Sequence, residues 1–399
     1  MKFHLSSGVA LICLSACAQD QTPPAIEAEQ PQEATASEPE AMPTNATIVD
    51  TYFPRSRVEG APEPLPQNPD ARITDADVIF ADAIAYAEET TSYALLIWHD
   101  GGLQLEIYFP PHTEDVRSEP ASMHKSVLGL VTAKAIADGL VESADAPIST
   151  WLPEWEDDPR GEITLRQLLT MSAGLAPLSY EGGAASPAVR FASGEDNTVE
   201  TLLSLPLEDA SAPHFHYQNT VSQLLMLVVT RALGEPYQDY LSREIWQPIG
   251  AADAYTYDFN QEGFPRGYAS FLARPLDWLR LGLLIKQDGV YDGEQIVPAE
   301  AIENMTAPST LNPNYGWQIW RGTEFEAERY YNFEGVGFAA LSSEPYLSDD
   351  LIFFDGFGGQ RVYISQSEDL VIVRLGDSQT GWDDSRLPNA VIRALHAQD

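Results

Sequence analysis

Segments patterned like β-strands lie at both ends of the central part of this 399-residue chain, and helical segments lie between them. At the start, two apolar runs at 93–98 and 103–108 flank Asp100-Gly101-Gly102, which is a strong hairpin signal. Near the end, three short β-branched or aromatic runs follow one another at 351–354, 361–364 and 370–373. These positions predict an antiparallel sheet that draws its strands from both chain ends.

Amphipathic spacing in the middle of the chain predicts helices. They cover 126–137, 165–171, 221–233 and 276–286, and a last helical segment covers 387–396. Gly139 and Gly234 follow the first and third of these segments, as glycine commonly does at the end of a helix. Terminal strands around a mainly helical middle subdomain indicate an α+β fold. In such a fold, the cleft between sheet and helices is the usual place for a site.

The charge of the chain excludes some functions. It has 60 Asp and Glu against 22 Lys and Arg, a net charge of −38, and a surface this negative repels phosphate backbones. Nucleic acid is therefore not expected as a partner. Hydrophobic residues make up 44% of the chain, which is enough for a large core, so we interpret the acidic excess as a solvated surface.

Residues 1–17 are predicted to be an export signal with a short apolar stretch. Leu14-Ser15-Ala16-Cys17 resembles the lipobox of bacterial lipoproteins, which implies that Cys17 is lipidated; an ordinary secretory signal is the alternative. Cys13 would leave with the signal, so no disulfide is expected in the mature chain. Ala18 implies, by similarity to Gram-negative lipoproteins, an outer-membrane anchor facing the periplasm, and membrane contact through the lipid alone.

Residues 18–72 are expected to be an acidic, proline-rich tether. The part from 18 to 50 has seven acids, five prolines and no Lys or Arg. Such a segment cannot bury enough apolar surface to offset the entropy lost on ordering, so it is predicted to be disordered. The folded domain is then expected to cover 73–399.

Ser122 and Lys125 stand at the start of the first apolar helix, in Ala121-Ser122-Met123-His124-Lys125-Ser126. Their spacing places both side chains on one face of a helical turn. A serine hydroxyl becomes a nucleophile when a base takes its proton, and a lysine can be that base when burial or nearby cations lower its pKa. The helix N-terminus adds N–H groups beside the attacking oxygen. A capping serine with a solvent-facing lysine is the alternative interpretation.

Tyr217 and Asn219 lie just before another apolar helix. A tyrosine near a lysine ammonium can transfer protons, and an Asn amide can hold the lysine and orient an amide substrate. The same pattern recurs at Tyr330-Tyr331-Asn332. Tyr217 is preferred because it lies on a loop that enters a helix, whereas Tyr330 follows a charged run and is expected on a surface strand.

Phe357, Gly358, Gly359 and Gln360 lead into the predicted strand at 361–364. Glycines at this point let a substrate lie against the edge of the strand. A backbone N–H there could join that of Ser122 as an oxyanion hole. A plain glycine turn is the alternative interpretation.

Together these motifs resemble the serine β-lactamase and penicillin-binding-protein superfamily, from about residue 93 to residue 395. The similarity is to its class C-like branch, which includes family VIII esterases, D-alanyl-D-alanine peptidases and 6-aminohexanoate-oligomer hydrolases. The most specific supporting stretch is 163–175. The resemblance implies a β-lactamase/transpeptidase-like fold in which Ser122 is acylated, Lys125 and Tyr217 share proton transfer, and water releases the acid.

The third motif departs from that family pattern. β-Lactamases and peptidases of the superfamily usually carry Lys-Thr-Gly or a His variant there, and the cation helps to hold a substrate carboxylate. This chain has Phe357-Gly358-Gly359 instead. A small ester or amide is therefore the predicted substrate. The alternatives are a D-alanyl-D-alanine peptidase or weak class C-like β-lactamase, and a non-catalytic lipoprotein that binds the cell wall or a peptide partner.

Cofactors are not expected. The sequence has neither a Gly-x-Ser-x-Gly elbow nor a glycine loop of the phosphate-binding type. His214 and His216 have a spacing that occurs in metal sites, but no carboxylate accompanies them at ligand spacing in the sequence. No metal is therefore predicted.

Overall fold

The structure is a computed structural model that describes residues 43–208, 213–259, 263–331 and 339–398. The strands are β1 (Arg55–Val58), β2 (Ser92–His99), β3 (Gly102–Tyr108), β4 (Ala254–Tyr257), β5 (Phe271–Leu272), β6 (Val290–Tyr291), β7 (Glu294–Gln295), β8 (Trp320–Arg321), β9 (Glu328–Tyr330), β10 (Ala339–Leu341), β11 (Ile352–Gly356), β12 (Gln360–Ser365) and β13 (Leu370–Gly376). The α-helices are α1 (Ala76–Ile79), α2 (Ala81–Glu89), α3 (His124–Ala137), α4 (Leu165–Leu169), α5 (Pro187–Ser193), α6 (Thr198–Leu203), α7 (Asn219–Leu233), α8 (Tyr237–Leu241), α9 (Pro275–Lys286), α10 (Ala299–Thr306) and α11 (Arg386–His396).

The main sheet draws its strands from both ends of the chain. In the described residues it has six antiparallel strands in the order β3-β2-β13-β12-β11-β8. Asp100 and Gly101 turn the β2–β3 hairpin with φ of 48° and 75°, the left-handed geometry that favours Asp-Gly in a two-residue turn. The predicted α+β plan is confirmed, because the middle of the chain is mainly helical.

The two faces of this sheet pack against different segments. Helix α9 covers one face so closely that a Cβ on Gly282 would come within 2.6 Å of Val371 Cγ1. The same Cβ would lie 3.0 Å from Val362 Cγ1. Alternate residues of a strand point to opposite faces, so Tyr363, the next residue, points to the other side of the sheet. There its hydroxyl donates to the Asp384 carbonyl at 2.9 Å, in the segment that leads into α11. The sheet is thus buried on both faces.

Helix α3 positions the candidate nucleophile. It is buried over almost its whole length, from His124 to Ala135, and a turn of 3₁₀ helix, Ala121–Met123, leads into it. The turn packs against β11: Gly356 is so close to it that a Cβ would lie 2.0 Å from the Pro120 carbonyl oxygen. Ser122 is therefore placed where the buried helix meets the sheet.

The N-terminal boundary of the folded domain is earlier than the sequence predicts. Strand β1 pairs with β4 in a second sheet, and Tyr52 stacks on Tyr257 with ring centroids 4.4 Å apart. The Asn45 carbonyl accepts from the Glu119 N–H at 2.8 Å. The prediction of a tether as far as residue 72 is therefore wrong for 43–72. An edge strand needs few apolar residues of its own, because its neighbour supplies the hydrogen bonds.

Residues 1–42, which include the predicted signal and Cys17, lie outside the described residues. Among the helices that the structure describes, none has both the length and the apolar character needed to span a bilayer.

Candidate active site

The turn that carries Ser122 is held by a buried carboxylate. Glu119 accepts from the Ala121 N–H at 2.7 Å and from the Ser270 hydroxyl at 2.7 Å. Burial raises the pKa of Glu119, and these hydrogen bonds together with that from Tyr52 oppose the rise. Ala121 has a φ of 49°, which is uncommon for a residue with a side chain and costs conformational energy. The carboxylate stabilises that conformation directly before the serine.

Lys125 lies beside Ser122 and is buried. As an ammonium, its Nζ donates to Ser122 Oγ at 2.9 Å, to Asn219 Oδ1 at 2.8 Å and to the Tyr268 carbonyl oxygen at 3.0 Å. Burial lowers the pKa of Lys125 well below its usual value, and the nearby Asp355 carboxylate opposes this only in part. The ammonium is destabilised in this environment, so the amine loses its proton at a lower pH than an exposed lysine does.

The three partners limit where the lone pair can point when the amine is neutral. Asn219 Oδ1 and the Tyr268 carbonyl oxygen are acceptors, so each takes one N–H of the neutral amine. Once the ammonium has lost a proton, it has two N–H bonds and one lone pair. If the two acceptor oxygens keep the N–H bonds, the 2.9 Å contact with Ser122 reverses direction and the serine hydroxyl donates to the lone pair. The arrangement suits transfer of the serine proton to lysine.

Tyr217 completes the group around Ser122. It is 2% exposed, its ring centroid lies 4.8 Å from Lys125 Nζ, and its hydroxyl is hydrogen-bonded to Ser122. Burial raises the pKa of Tyr217, and Asp355 raises it further. Tyr217 therefore stays a neutral phenol, which can pass a proton between the serine side and a leaving group but is a poor initial base.

The aromatic side chains around Tyr217 hold its ring. The centroids of Trp320, Tyr331 and Tyr315 lie at 5.5, 5.7 and 6.1 Å from that of Tyr217. By contrast Tyr330, from the second Tyr-x-Asn pattern, is 53% exposed on β9, as expected from the sequence. Asn332 lies outside the described residues. The structure brings Ser122, Lys125, Tyr217 and Asn219 together and leaves Tyr330 at the surface.

The glycine-rich segment forms the β11–β12 turn, next to the serine turn. Phe357 is half-buried, whereas a Cβ on Gly358 or Gly359 would come within 2.5 Å of Ser378 or Trp382. Gln360 is fully buried, and its Oε1 accepts from the Gly376 N–H at 3.0 Å. Gly358, Gly359 and Gln360 therefore pack into the interior against 374–382, whereas Phe357 is partly exposed.

A buried charge cluster under the site was not predicted from the sequence. It consists of Arg329, Asp355, Arg361 and Asp384, and each carboxylate bridges the two guanidinium groups with N–O distances of 2.6 Å. The Tyr331 hydroxyl also donates to both oxygens of Asp355 at 2.9 Å. The cluster thus joins the Tyr331 ring, which contacts Tyr217, to the end of β11.

His124 is a further residue whose place the sequence did not determine. It is fully buried, and burial lowers its pKa to about 4, so the ring is neutral. Nδ1 lies 2.7 Å from the Arg266 carbonyl oxygen, and Nε2 lies 3.3 Å from the Tyr237 hydroxyl. His124 therefore holds the segment whose next residues include Tyr268, the carbonyl partner of Lys125.

The surroundings of His214 and His216 were not predicted from the sequence. His214, His216 and Glu208 place their ligand atoms within 4.8 Å of one another. No carboxylate stands at ligand spacing in the sequence, but the fold places Glu208 beside the two histidines.

Comparison with known proteins identifies the family. The profile of the Beta-lactamase family matches residues 80–396. The chain belongs to the Beta-lactamase family. The predicted superfamily and its fold are thereby confirmed, and the family indicates a serine hydrolase.

Three relatives of this Beta-lactamase-family chain span different activities. The 6-aminohexanoate-dimer hydrolase of Paenarthrobacter ureafaciens is 24% identical over 270 residues, which are 64% of this chain and 67% of that protein. A solved structure proposed to be a 6-aminohexanoate-dimer hydrolase of Bacillus anthracis has a TM-score of 0.71 at 19% identity, over 89% of this chain and 94% of that one. A β-lactamase/D-alanine carboxypeptidase of Pseudomonas syringae has a TM-score of 0.58 at 15% identity, over 82% and 100%.

Proposed function

We propose that this chain cleaves a small ester or amide through a covalent acyl-enzyme on Ser122. The observation that carries the proposal is the environment of the buried Lys125 Nζ, which lies 2.9 Å from Ser122 Oγ and has two acceptor oxygens, at 2.8 and 3.0 Å, for the N–H bonds of the neutral amine. A poor nucleophile is activated by this kind of contact with a base.

The proposed reaction begins with transfer of the Ser122 proton to Lys125. The serine oxygen then forms a bond to the substrate carbonyl carbon, and the carbonyl oxygen becomes an oxyanion that backbone N–H groups of Ser122 and the Phe357 turn stabilise. The bond to the leaving group breaks as that group takes the proton from Lys125 through the Tyr217 hydroxyl. Water next gives a proton to the same base and attacks the ester carbon. The bond to Ser122 Oγ then breaks, Lys125 returns the proton to the serine oxygen, and the acid is released.

Substrates without an obligatory carboxylate fit the third motif best. The nearby cation, Arg361, is 1% exposed and pairs with Asp355 and Asp384 at 2.6 Å. Its charge is therefore already paired inside the protein and does not reach a substrate. Neither Phe357 nor the glycines after it can hold a carboxylate by charge. The match to a 6-aminohexanoate-dimer hydrolase supports amide cleavage in particular.

Intact-mass spectrometry tests the proposal. Full-length wild type and Ser122→Ala are exposed in parallel to a fluorophosphonate, p-nitrophenyl butyrate and a penicillin. We expect a fluorophosphonate adduct and ester turnover that both need Ser122, without a stable penicillin adduct. A lasting penicilloyl adduct would instead favour the D-alanyl-D-alanine peptidase. Rapid turnover of penicillin would favour the weak β-lactamase. No reaction with any reagent would favour the non-catalytic binding protein.

We also propose that the protein is lipid-anchored through Cys17 in the envelope of a Gram-negative bacterium. The support is the lipobox-like sequence before that residue. Labelled palmitate should enter the wild-type protein and be absent from Cys17→Ser. Equal labelling of the two would contradict the anchor.

A further inference from the structure

Glu208, His214 and His216 form a group at the surface of the helical middle of the molecule. Their candidate ligand atoms lie within 4.8 Å of one another, and His214 Nε2 lies 3.9 Å from Glu208 Oε2. The two imidazole rings have centroids 5.7 Å apart. None of these three side chains has a part in the reaction proposed above.

The backbone fixes where the three residues stand. The Glu208 N–H donates to the Gly174 carbonyl oxygen at 2.7 Å, and the His216 N–H donates to the Met171 carbonyl oxygen at 2.8 Å. Leu207 also pairs with Leu175 in an isolated antiparallel bridge. Both ends of segment 208–216 are therefore attached to the same short stretch, 171–175, which explains why residues eight apart in sequence come together.

We propose that Glu208, His214 and His216 bind a divalent transition-metal ion of the Zn²⁺ class. Two imidazole nitrogens and one carboxylate oxygen suit zinc and its neighbours, whereas Mg²⁺ and Ca²⁺ prefer oxygen ligands alone. Three protein ligands leave a fourth tetrahedral position for water.

Small side-chain movements are enough to close the site. Tetrahedral zinc with ligands at its usual bond lengths needs donor atoms about 3.3 Å apart. The side chains of His214 and Glu208 are 54% and 34% exposed, so both have room to rotate toward the ion. His216 is attached through its backbone next to Tyr217, and a bound ion would join the two ends of the segment that leads to that tyrosine.

Zinc titration of untagged full-length protein in competition with a chromophoric chelator tests the site. We expect one Zn²⁺ per chain, and at least about ten-fold weaker binding in His214→Ala and in Glu208→Gln, since each removes a ligand. His396→Ala is the matched control, because His396 also pairs with a carboxylate, Glu368, at 2.8 Å and its side chain is 57% exposed. The control should bind zinc like the wild type.

Two further readouts do not depend on activity. Co²⁺ bound to the wild type should show the intense visible bands of a tetrahedral site, and the His214→Ala protein should lack them. Zinc should raise the melting temperature of the wild type, since a ligand that binds only the native state stabilises it. The proposal is overturned if wild type takes up no more zinc than His214→Ala, or if His396→Ala weakens binding as strongly.

Discussion

Lys125 Nζ lies 2.9 Å from Ser122 Oγ, and the lysine side chain is buried at 2% exposure. Removing the amine should therefore remove the base while the fold survives. Lys125→Ala is expected to lower kcat/KM for p-nitrophenyl butyrate by about 10²–10⁴-fold, the usual contribution of general acid–base catalysis. Lys286→Ala, which loses a pair with Asp369 at the end of α9, is the control and should keep wild-type turnover. Wild-type turnover in Lys125→Ala would contradict the assignment.

The pH dependence of acylation should report the lowered pKa of Lys125. Only the neutral amine can accept the serine proton, so the acylation rate should rise with pH as the ammonium loses its proton. Because burial lowers the pKa of this lysine well below 10.5, the rise should be complete well below the range of an exposed lysine. Stopped-flow measurement of Ser122 phosphonylation by the fluorophosphonate, which releases fluoride and needs the same removal of the serine proton, reports this pH dependence. A rising limb centred at the ordinary lysine value would disprove the neutral-base mechanism.

Tyr217→Phe tests which of the two Tyr-x-Asn patterns supplies the catalytic tyrosine. It keeps the ring packed among Trp320 and Tyr331 but removes the hydroxyl that bonds to Ser122. We expect turnover to fall by about 10²-fold or more, with little change in melting temperature. Tyr330→Phe removes an exposed hydroxyl from the competing pattern and should leave turnover unchanged. If turnover fell more in Tyr330→Phe than in Tyr217→Phe, the catalytic role would belong to Tyr330 instead.

Gly356→Ala tests the close approach of β11 to the serine turn. The new Cβ would lie 2.0 Å from the Pro120 carbonyl oxygen and 2.7 Å from Gln360 Cβ, so the turn must shift. Overpacking of this kind costs about 1–3 kcal/mol, and we expect a clear loss of acylation as well. Gly381→Ala meets nothing within 4 Å and serves as the control for both melting temperature and rate. Equal behaviour of the two variants would show that the contact has no role.

Asp355→Asn should strongly destabilise the protein. Asp355 is 2% exposed, and its carboxylate offsets part of the positive charge of Arg329 and Arg361. Its loss therefore leaves buried positive charge uncompensated. Breaking such a pair costs about 3–5 kcal/mol in the free energy of unfolding. The surface pair of Glu154 with Arg231 is the comparison, and Glu154→Gln should cost about 1 kcal/mol or less. Urea unfolding measures both, and similar losses would refute a special role for the cluster.

The elements that were predicted correctly are those with local signals. The β2–β3 hairpin follows from Asp100 and Gly101, whose positive φ angles the turn requires. Helices α3 and α7 end at or just before Gly139 and Gly234, which have φ of 76° and 66°. In each case a few adjacent residues determine the backbone, so the sequence alone is sufficient.

What could not be predicted depends on residues that are distant in sequence or on backbone groups. The partners of Lys125 include the Tyr268 carbonyl oxygen, a group that every residue possesses and that no motif marks. Arg329 and Asp384 are 55 residues apart, and charged residues are normally assigned to the surface. The segment around β1 was misjudged for a related reason: only Val58 of that strand is buried, and its hydrogen bonds come from β4.

The buried charge cluster contains two cations and two anions and is therefore neutral as a unit, inside a chain whose formal charge is −38. Counterions screen exposed charges within a Debye length of about 10 Å at 0.1 M salt, but they do not enter a packed interior. Ionic strength should thus alter how often a charged substrate meets this acidic surface. The proton affinity of the lysine beside the serine, in contrast, is set by groups that salt does not reach.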